Sequence, residues 1–210
     1  MSTVDEVEAA LRSRILRGEV DPGARLRQDA LAEDLGVSKI PVREALQRLV
    51  ASGLLRFESN RGAVLPSLTA ADATENYSLR RAIEPLLLRR AIPNLSMVDL
   101  AEAELALHPA EVSVAEANWA FHRVLYRAAG WKRGLAVTEM LHVSVAPYVL
   151  FYTQDLGGAA DSSTEHREIL DACRDQRLDD AVALLGAHLE QAERALVTFL
   201  EESGDDPARR

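Results

Sequence analysis

Apolar residues recur at helical spacing near the start of the chain, at Val4, Val7, Leu11, Ile15 and Leu16, until Gly18, Pro22 and Gly23 break the pattern. The spacing predicts a helix over 4–18 followed by a turn. A second run places Leu31 and Leu35 before a break at Gly36-Val37, then Val42, Ala45, Leu46, Leu49 and Val50. This reads as two short helices joined by a tight turn. Gly36 supplies the turn conformation, Ser38 is a good N-cap, and Pro41 lies in the first turn of the second helix, where a missing N–H costs little. After Gly53, "LLRFESNRGAVLPSL" alternates around a polar Ser-Asn-Arg-Gly tip, as a small hairpin does. Helix, helix, helix, hairpin is the layout of a winged helix-turn-helix.

From Thr69 onward the pattern is helical throughout. Thr69 can cap a long helix that ends at Pro93, "SMVDLAEAELAL" is a shorter one, and two long ones begin at Ser113 and Lys132. "LGGAADSST" reads as a loop, followed by helices over about 163–175 and 178–202. The fold expected is mainly α: a winged helix-turn-helix over 1–68 with a small β-hairpin wing, an all-α antiparallel bundle over 69–203, and a frayed tail over 204–210.

Composition adds limits. The 210 residues are 48% hydrophobic and 27% charged, with no apolar run near the 18 or more residues that a membrane span needs. The amino terminus lacks the basic start and continuous apolar stretch of a secretory signal, so a cytoplasmic protein is expected. A single cysteine, Cys173, excludes an intramolecular disulfide and fits a reducing compartment and a buried helix face. The net charge of −9 argues superficially against a nucleic-acid partner, but residues 1–68 carry ten basic and ten acidic side chains, so the whole excess falls on the remainder. Between Gly36 and Arg56, Lys39, Arg43, Arg48 and Arg56 face one acid, Glu44, a local basic patch in an acidic chain.

The plain reading of residues 28–50 is an ordinary three-helix core, and helix-turn-helix geometry also serves protein contacts. The polar residues say more. With Ser38 starting the recognition helix, Ser38, Lys39 and Arg43 project from its amino-terminal end, within reach of phosphates or a guanine edge, and Asn60 and Arg61 sit at the wing tip. "EVDPGARL", "LAEDLGVSKIPVREALQRLVASGLL" and "NRGAVL" closely resemble the winged-helix domain of the GntR family of bacterial transcription regulators, nearly continuously over 11–65. The resemblance implies that Arg43 makes the central DNA contact, with Ser38 and Lys39 beside it and the Asn60-Arg61-Gly62 wing on the minor groove. Some FadR-like relatives carry an arginine where this chain has Asp29, and Arg27 nearby can substitute. Arg48 and Arg56 read as a solvated face.

A lone histidine on an amphipathic helix is more often a satisfied polar group than a ligand. His108, in a loop, and His142, with no evident partner, take that reading. His122, His166 and His188 each lie on a separate expected helix, on or beside its apolar stripe, and Asn118 shares the His122 face one turn earlier. Such residues can converge in a bundle core, where three imidazoles and an oxygen donor suit zinc, nickel or manganese. Trp119 and Phe121 between them read as packing residues.

Residues 72–195 resemble the FCD ligand-binding domain of the FadR subfamily, through "LRRAIEP", "NWAFHRVLYRAAG" and "EHREILDACRDQRLDDAVALLGAHL". The resemblance implies a divalent metal held by Asp-x-x-x-His, a histidine in the "EH" motif and a histidine 22 residues later; His122, His166 and His188 occupy those places, and Asn118 stands where aspartate is usual. A neutral Asn118 leaves the site the full charge of the ion, which weakens metal binding and strengthens attraction for an anion. The expected effector is a small carboxylate that completes the coordination, with Arg80 as a second anchor; Arg80 and Glu84 match the family's Arg-x-x-x-Glu, while a plain i,i+4 pair is the alternative.

The function expected is that of a homodimeric, operator-binding regulator, more commonly a repressor, that grips the two halves of a palindromic duplex and is not an enzyme. Two rivals use the same histidines: a metal-dependent hydrolase and a metal-stabilised interaction module. Against the hydrolase, Glu165 beside His166 is expected to point about 100° away from it on an ideal helix.

Overall fold

The structure, a computed structural model, describes residues 2–108, 113–155 and 158–204, without the side chains of 150–155, 158–161 and 203–204. They form two compact units divided between Leu68 and Thr69. The expected tail beyond Gly204 lies outside the described residues.

In the first unit, helix α1 spans Thr3–Leu16 and opens with a reciprocal capping box between Ser2 and Asp5. Helix α2 spans Gln28–Asp34 and α3 spans Lys39–Ala51, with Gly36 between them at φ +65°, a conformation that costs glycine little. Strands β1, Arg56–Glu58, and β2, Gly62–Val64, pair antiparallel in the register Phe57 to Ala63. Val7, Leu11 and Ile15 of α1 bury against α3, which contributes Val42, Ala45, Leu46 and Leu49. Two expectations change. Leu31 and Leu35 are only half-buried, because the inward position of the two-turn α2 is taken by Ala32. Ser38 does occupy the N-cap position of α3, but its hydroxyl makes no capping hydrogen bond and stays at the surface.

The second unit contains α4 (Ala70–Ala91), a 3₁₀ turn at Ile92–Asn94, α5 (Met97–Ala106), α6 (Val114–Arg127), α7 (Lys132–Asp155), α8 (Gly158–Arg174) and α9 (Leu178–Gly204). Capping boxes start α4, α5 and α6, at Thr69 with Asp72, Ser96 with Asp99 and Ser113 with Glu116. Residues 158–164, expected as loop, are instead the first two turns of α8. Ala159 and Ala160 are strong helix formers and outweigh the glycine that precedes them. Gln176, at φ +56°, makes the bend into α9. Helix α4 packs against α6, α7 and α9. Its buried face carries Tyr77, Leu87 and Leu88, but also Asn76, Arg80 and Glu84. Cys173 is fully buried as expected, and burial pushes its thiol up to about 12. Among the described residues, no helix is long and apolar enough to cross a membrane.

Candidate functional site

Two surfaces carry the expected chemistry, one in each unit. On the first unit, Arg43 is exposed on the first turns of α3 and makes no ion pair among the described residues. The α3 face opposite it is the buried one, so the guanidinium is presented to solvent by a rigid helix. Lys39 is tied by its Nζ to Asp29 Oδ1 at 2.9 Å, and hydrogen bonding to that lysine holds the Asp29 carboxyl below its usual range. Asp29 thus orients the lysine at the start of α3. Arg27 stands exposed at the N-cap position of α2 and lines one cleft with Arg61 and Gly62. Asn60 forms the exposed wing tip at φ +68°, and Arg61 beside it donates to Glu58 Oε2 at 3.1 Å and to the Gly23 carbonyl at 3.2 Å.

On the second unit, His122 from α6, His166 from α8 and His188 from α9 come together. One ring nitrogen from each lies within 4.8 Å of the others, and the Nε2 atoms of His122 and His166 are 3.2 Å apart. All three are buried, at 0%, 6% and 5% exposure. The outer nitrogens of two rings are held. Tyr126 Oη donates to Glu84 Oε2 at 2.7 Å and lies 3.1 Å from His122 Nδ1, so the phenol oxygen is free to accept that N–H. Glu165 Oε2 sits 2.7 Å from His188 Nδ1. Both contacts leave Nε2 as the inward, lone-pair-bearing atom, the arrangement in which an outer partner sets tautomer and ring orientation. Burial, then repulsion from the neighbouring imidazoles, holds His122 and His166 well below the usual histidine range, so both are neutral near pH 7 and fit a metal chemically. Asn118 is half-buried one turn before His122, with no hydrogen bond to its side chain among the described residues. Phe121 is fully buried with its ring 4.6 Å from that of His166, and Trp119 lies 4.7 Å from the His142 ring, the packing roles expected of them.

His142 is a satisfied polar group, as expected, but with partners that the sequence did not show. It is 4% exposed, with Nε2 3.0 Å from Arg80 Nη2 and 3.1 Å from Glu84 Oε1, and its ring is 5.2 Å from that of His122. Its partners lie some sixty residues away in sequence, on α4, which is why its neighbours in the chain gave no sign of them. Burial and the adjacent Arg80 push the imidazole down to about 4. Arg80 is itself buried and donates through Nε to Glu84 Oε1 at 2.6 Å, so the plain i,i+4 pair is present, but in the core. Burial works to raise the Glu84 carboxyl; Arg80 and His142 outweigh it and keep the group ionised. Tyr126 and His142 were missed as neighbours of the site, and Glu84 was named only as the partner of Arg80. The Arg80-Glu84 and His122-Tyr126 spacings, four residues apart on two helices, were the signals within reach.

Glu165 finds a partner that the sequence did not show. It leaves the helix away from His166, as its position predicts, yet meets the outer nitrogen of His188 on the facing helix. Its carboxylate is therefore engaged as a support and is not aimed at the centre as a general base would be. Glu165→Ala and Tyr126→Phe should each weaken divalent-metal binding by roughly 10- to 100-fold, the usual cost of losing an outer partner. Competition with a metal-sensitive dye would measure it, and unaltered affinity in both variants would show that neither side chain supports the site.

The model of the FCD domain matches residues 75–191, more than half of the chain, and that of the bacterial regulatory proteins of the gntR family matches residues 3–65. The HTH-type transcriptional regulator YdhC of Bacillus subtilis is 29% identical over 210 residues, covering 93% of this chain and 92% of its own. A protein of Paenarthrobacter nicotinovorans named "Probable D-xylose utilization operon transcriptional repressor" is 29% identical over 180 residues, covering 81% and 78%. The solved structure of E. coli McbR/YncC superposes with a TM-score of 0.78 at 24% identity, over 94% of this chain and 98% of that one, and so shares the fold. With a helix-turn-helix and wing at its amino terminus and a helical FCD domain after it, the chain belongs to the GntR family of bacterial transcription regulators.

Proposed function

We propose that this regulator is a cytoplasmic repressor whose affinity for its operator is set by a small organic carboxylate bound at a divalent-metal site in the FCD domain. The observation that carries the reading is the convergence of three buried imidazoles beside a buried arginine. His122, His166 and His188, with Asn118 as a neutral oxygen donor, would hold zinc, nickel or manganese. The ion would supply an electrophilic centre, and because Asn118 brings no charge its full +2 remains to attract an anion. Arg80 is the second anchor. Its guanidinium is already paired with Glu84, so an incoming carboxylate competes with an internal one and must gain more from the metal than from the arginine.

The first unit, residues 1–68, supplies DNA recognition, and residues 69–203 bind metal and effector. Arg43, Ser38 and Lys39 enter the major groove; Arg27, Asn60, Arg61 and Gly62 meet the backbone and minor groove. Helix α4 begins immediately after the first unit and carries both Arg80 and Glu84, so a ligand that separates this pair acts on the segment joining the two functions. The shift can be no larger than the difference in effector affinity between the two states.

A palindromic operator calls for a symmetric dimer. Helix α4 offers a matching exposed seam, Glu75, Leu79, Ala82, Leu86 and Arg89, spaced alternately by four and three residues, with Leu79 45% and Leu86 56% exposed. An antiparallel two-fold crossing at Ala82 sets Leu79 against Leu86 of the partner subunit and Glu75 against Arg89 of the partner subunit, for which Arg89 exchanges its exposed contact with Asp179.

Calorimetry with a panel of small mono-, di- and tricarboxylic acids, on metal-loaded and chelator-stripped protein, tests the metal-bridged reading. At least one acid should bind at least tenfold more tightly to the loaded form; equal affinity in both forms would sink it.

A further inference from the structure

In the segment "ARLRQ", Leu26 is buried at 7% exposure while Arg25 and Arg27 on either side are exposed. Alternation with a period of two puts both guanidinium groups on one side of an extended chain. That chain is fixed. Gly23 N–H donates to the Leu65 carbonyl at 2.8 Å, Leu26 N–H to the Ala63 carbonyl at 2.9 Å and Leu65 N–H to the Ala24 carbonyl at 3.1 Å, while Arg25 bridges Val64. Residues 23–26 therefore lie as a short third strand beside the wing. Between this strand and the wing tip is a cleft of about 270 Å³, lined by Arg25, Arg27 and Arg61 among others. Arg61 is held there by Glu58 and the Gly23 carbonyl, and neither Arg25 nor Arg27 makes an ion pair among the described residues. The one acid lining the cleft, Asp29, has its carboxylate against Lys39 at 2.9 Å.

We propose that Arg25, with Arg27 and Arg61, makes this cleft a receptor for a backbone phosphate of duplex DNA beside the wing. The proposal rests on the DNA-binding reading and extends it to Arg25, which neither the helix-turn-helix pattern nor the wing tip points to. Two unpaired guanidiniums on a backbone tied to the sheet, facing a third already positioned, match the tetrahedral oxygens of a phosphodiester and lose little freedom on binding it. Such a contact positions the domain on the duplex and carries no base preference. Arg25 thus contributes affinity and register, a role distinct from that of Arg43.

The full-length protein is titrated against a fluorescein-labelled 30-base-pair duplex of random sequence, by anisotropy, from 50 to 200 mM potassium chloride. Arg25→Ala should lower affinity at least roughly tenfold near 0.1 M salt and reduce the slope of log affinity against log salt by about one for each protomer that grips the duplex. The loss should be the same on duplexes of different sequence, and Arg25→Lys should restore most of it. Arg25→Gln, which keeps a polar side chain and its first three carbons without the charge, repeats the test if the alanine variant melts early. Unchanged affinity and slope in these variants, with the parent binding normally, overturn the proposal. A loss confined to particular sequences overturns the phosphate assignment in favour of a base contact. Failure of the parent itself to bind any duplex overturns the underlying DNA-binding reading as well, and the two failures are told apart by the parent alone.

Discussion

Arg43→Ala should sharply weaken sequence-specific operator binding while leaving folding, and any metal the second unit holds, unchanged. The side chain is exposed and unpaired on a helix whose opposite face, through Val42, Ala45, Leu46 and Leu49, is in the core of the first unit. Truncation therefore exposes no apolar surface and strands no buried partner, and its effect on stability should fall within about 0.5 kcal/mol. A bidentate arginine contact with a guanine is worth about 1–3 kcal/mol, and a symmetric dimer loses two of them, so specific affinity should fall by about 2–6 kcal/mol, roughly 30-fold to more than 10⁴-fold. Non-specific, salt-dependent binding should survive in large part, because it depends on many phosphate contacts. The measurement is a titration of an operator selected in vitro by the parent protein, alongside a scrambled duplex. Retained preference for the selected sequence would remove Arg43 from the reading helix's central role.

Acidification from pH 7 to pH 5 should strongly destabilise the metal-free second unit. His142 has a folded value of about 4 against 6.5 when unfolded, and His122 and His166 are lowered as well, by burial first and neighbouring imidazoles second. In each case the unfolded chain binds more protons over this window, so the stability is fully present above about pH 6.5 and is lost as pH falls. His142 alone accounts for on the order of 2 kcal/mol at pH 5. Glu84 stays ionised across the same range in both folded and largely in unfolded chains, and so adds little to the slope. The first unit contains no histidine, so its melting should barely respond. Thermal unfolding of chelator-stripped protein at pH 7, 6 and 5, followed by circular dichroism, separates the two. Divalent metal should raise the melting temperature at pH 7 and lose that effect toward pH 5, since protons compete for the same nitrogen lone pairs. A melting temperature flat from pH 7 to 5 would mean that the imidazoles are not held neutral in the core.

Much of the site was legible because its members recur in motifs at definite spacing. "LGVSKIPVREAL" carries the turn glycine, the exposed Arg43 and the apolar positions of α3 in one continuous stretch, and all three appear where the pattern puts them. The three histidines could be selected from five because each lies on or beside the apolar stripe of a different helix. His142 failed the same filter. Its stripe is equally apolar, but the groups that make its burial tolerable, Arg80 and Glu84, belong to a helix that meets α7 only after folding. The start of α8 was misread for another reason: a glycine pair looks like a break unless the alanines after it are weighed against it.

Helix periodicity, capping boxes at Thr69, Ser96 and Ser113, and the hairpin tip at Asn60 are local properties, in which each residue is satisfied by others within a turn or two, and the chain alone decides them. Which nitrogen of His122 points inward, why Glu165 supports His188, and how Arg80 and His142 are buried without an uncompensated charge depend on α4, α6, α7, α8 and α9 meeting. The same division holds at the DNA face, where Arg25 acquires its setting only when residues 23–26 line up beside β2. A short-range hydrogen bond is written into the spacing of two residues, whereas a buried ionic or imidazole contact is settled by which distant surfaces come together to exclude water and by the partners found there.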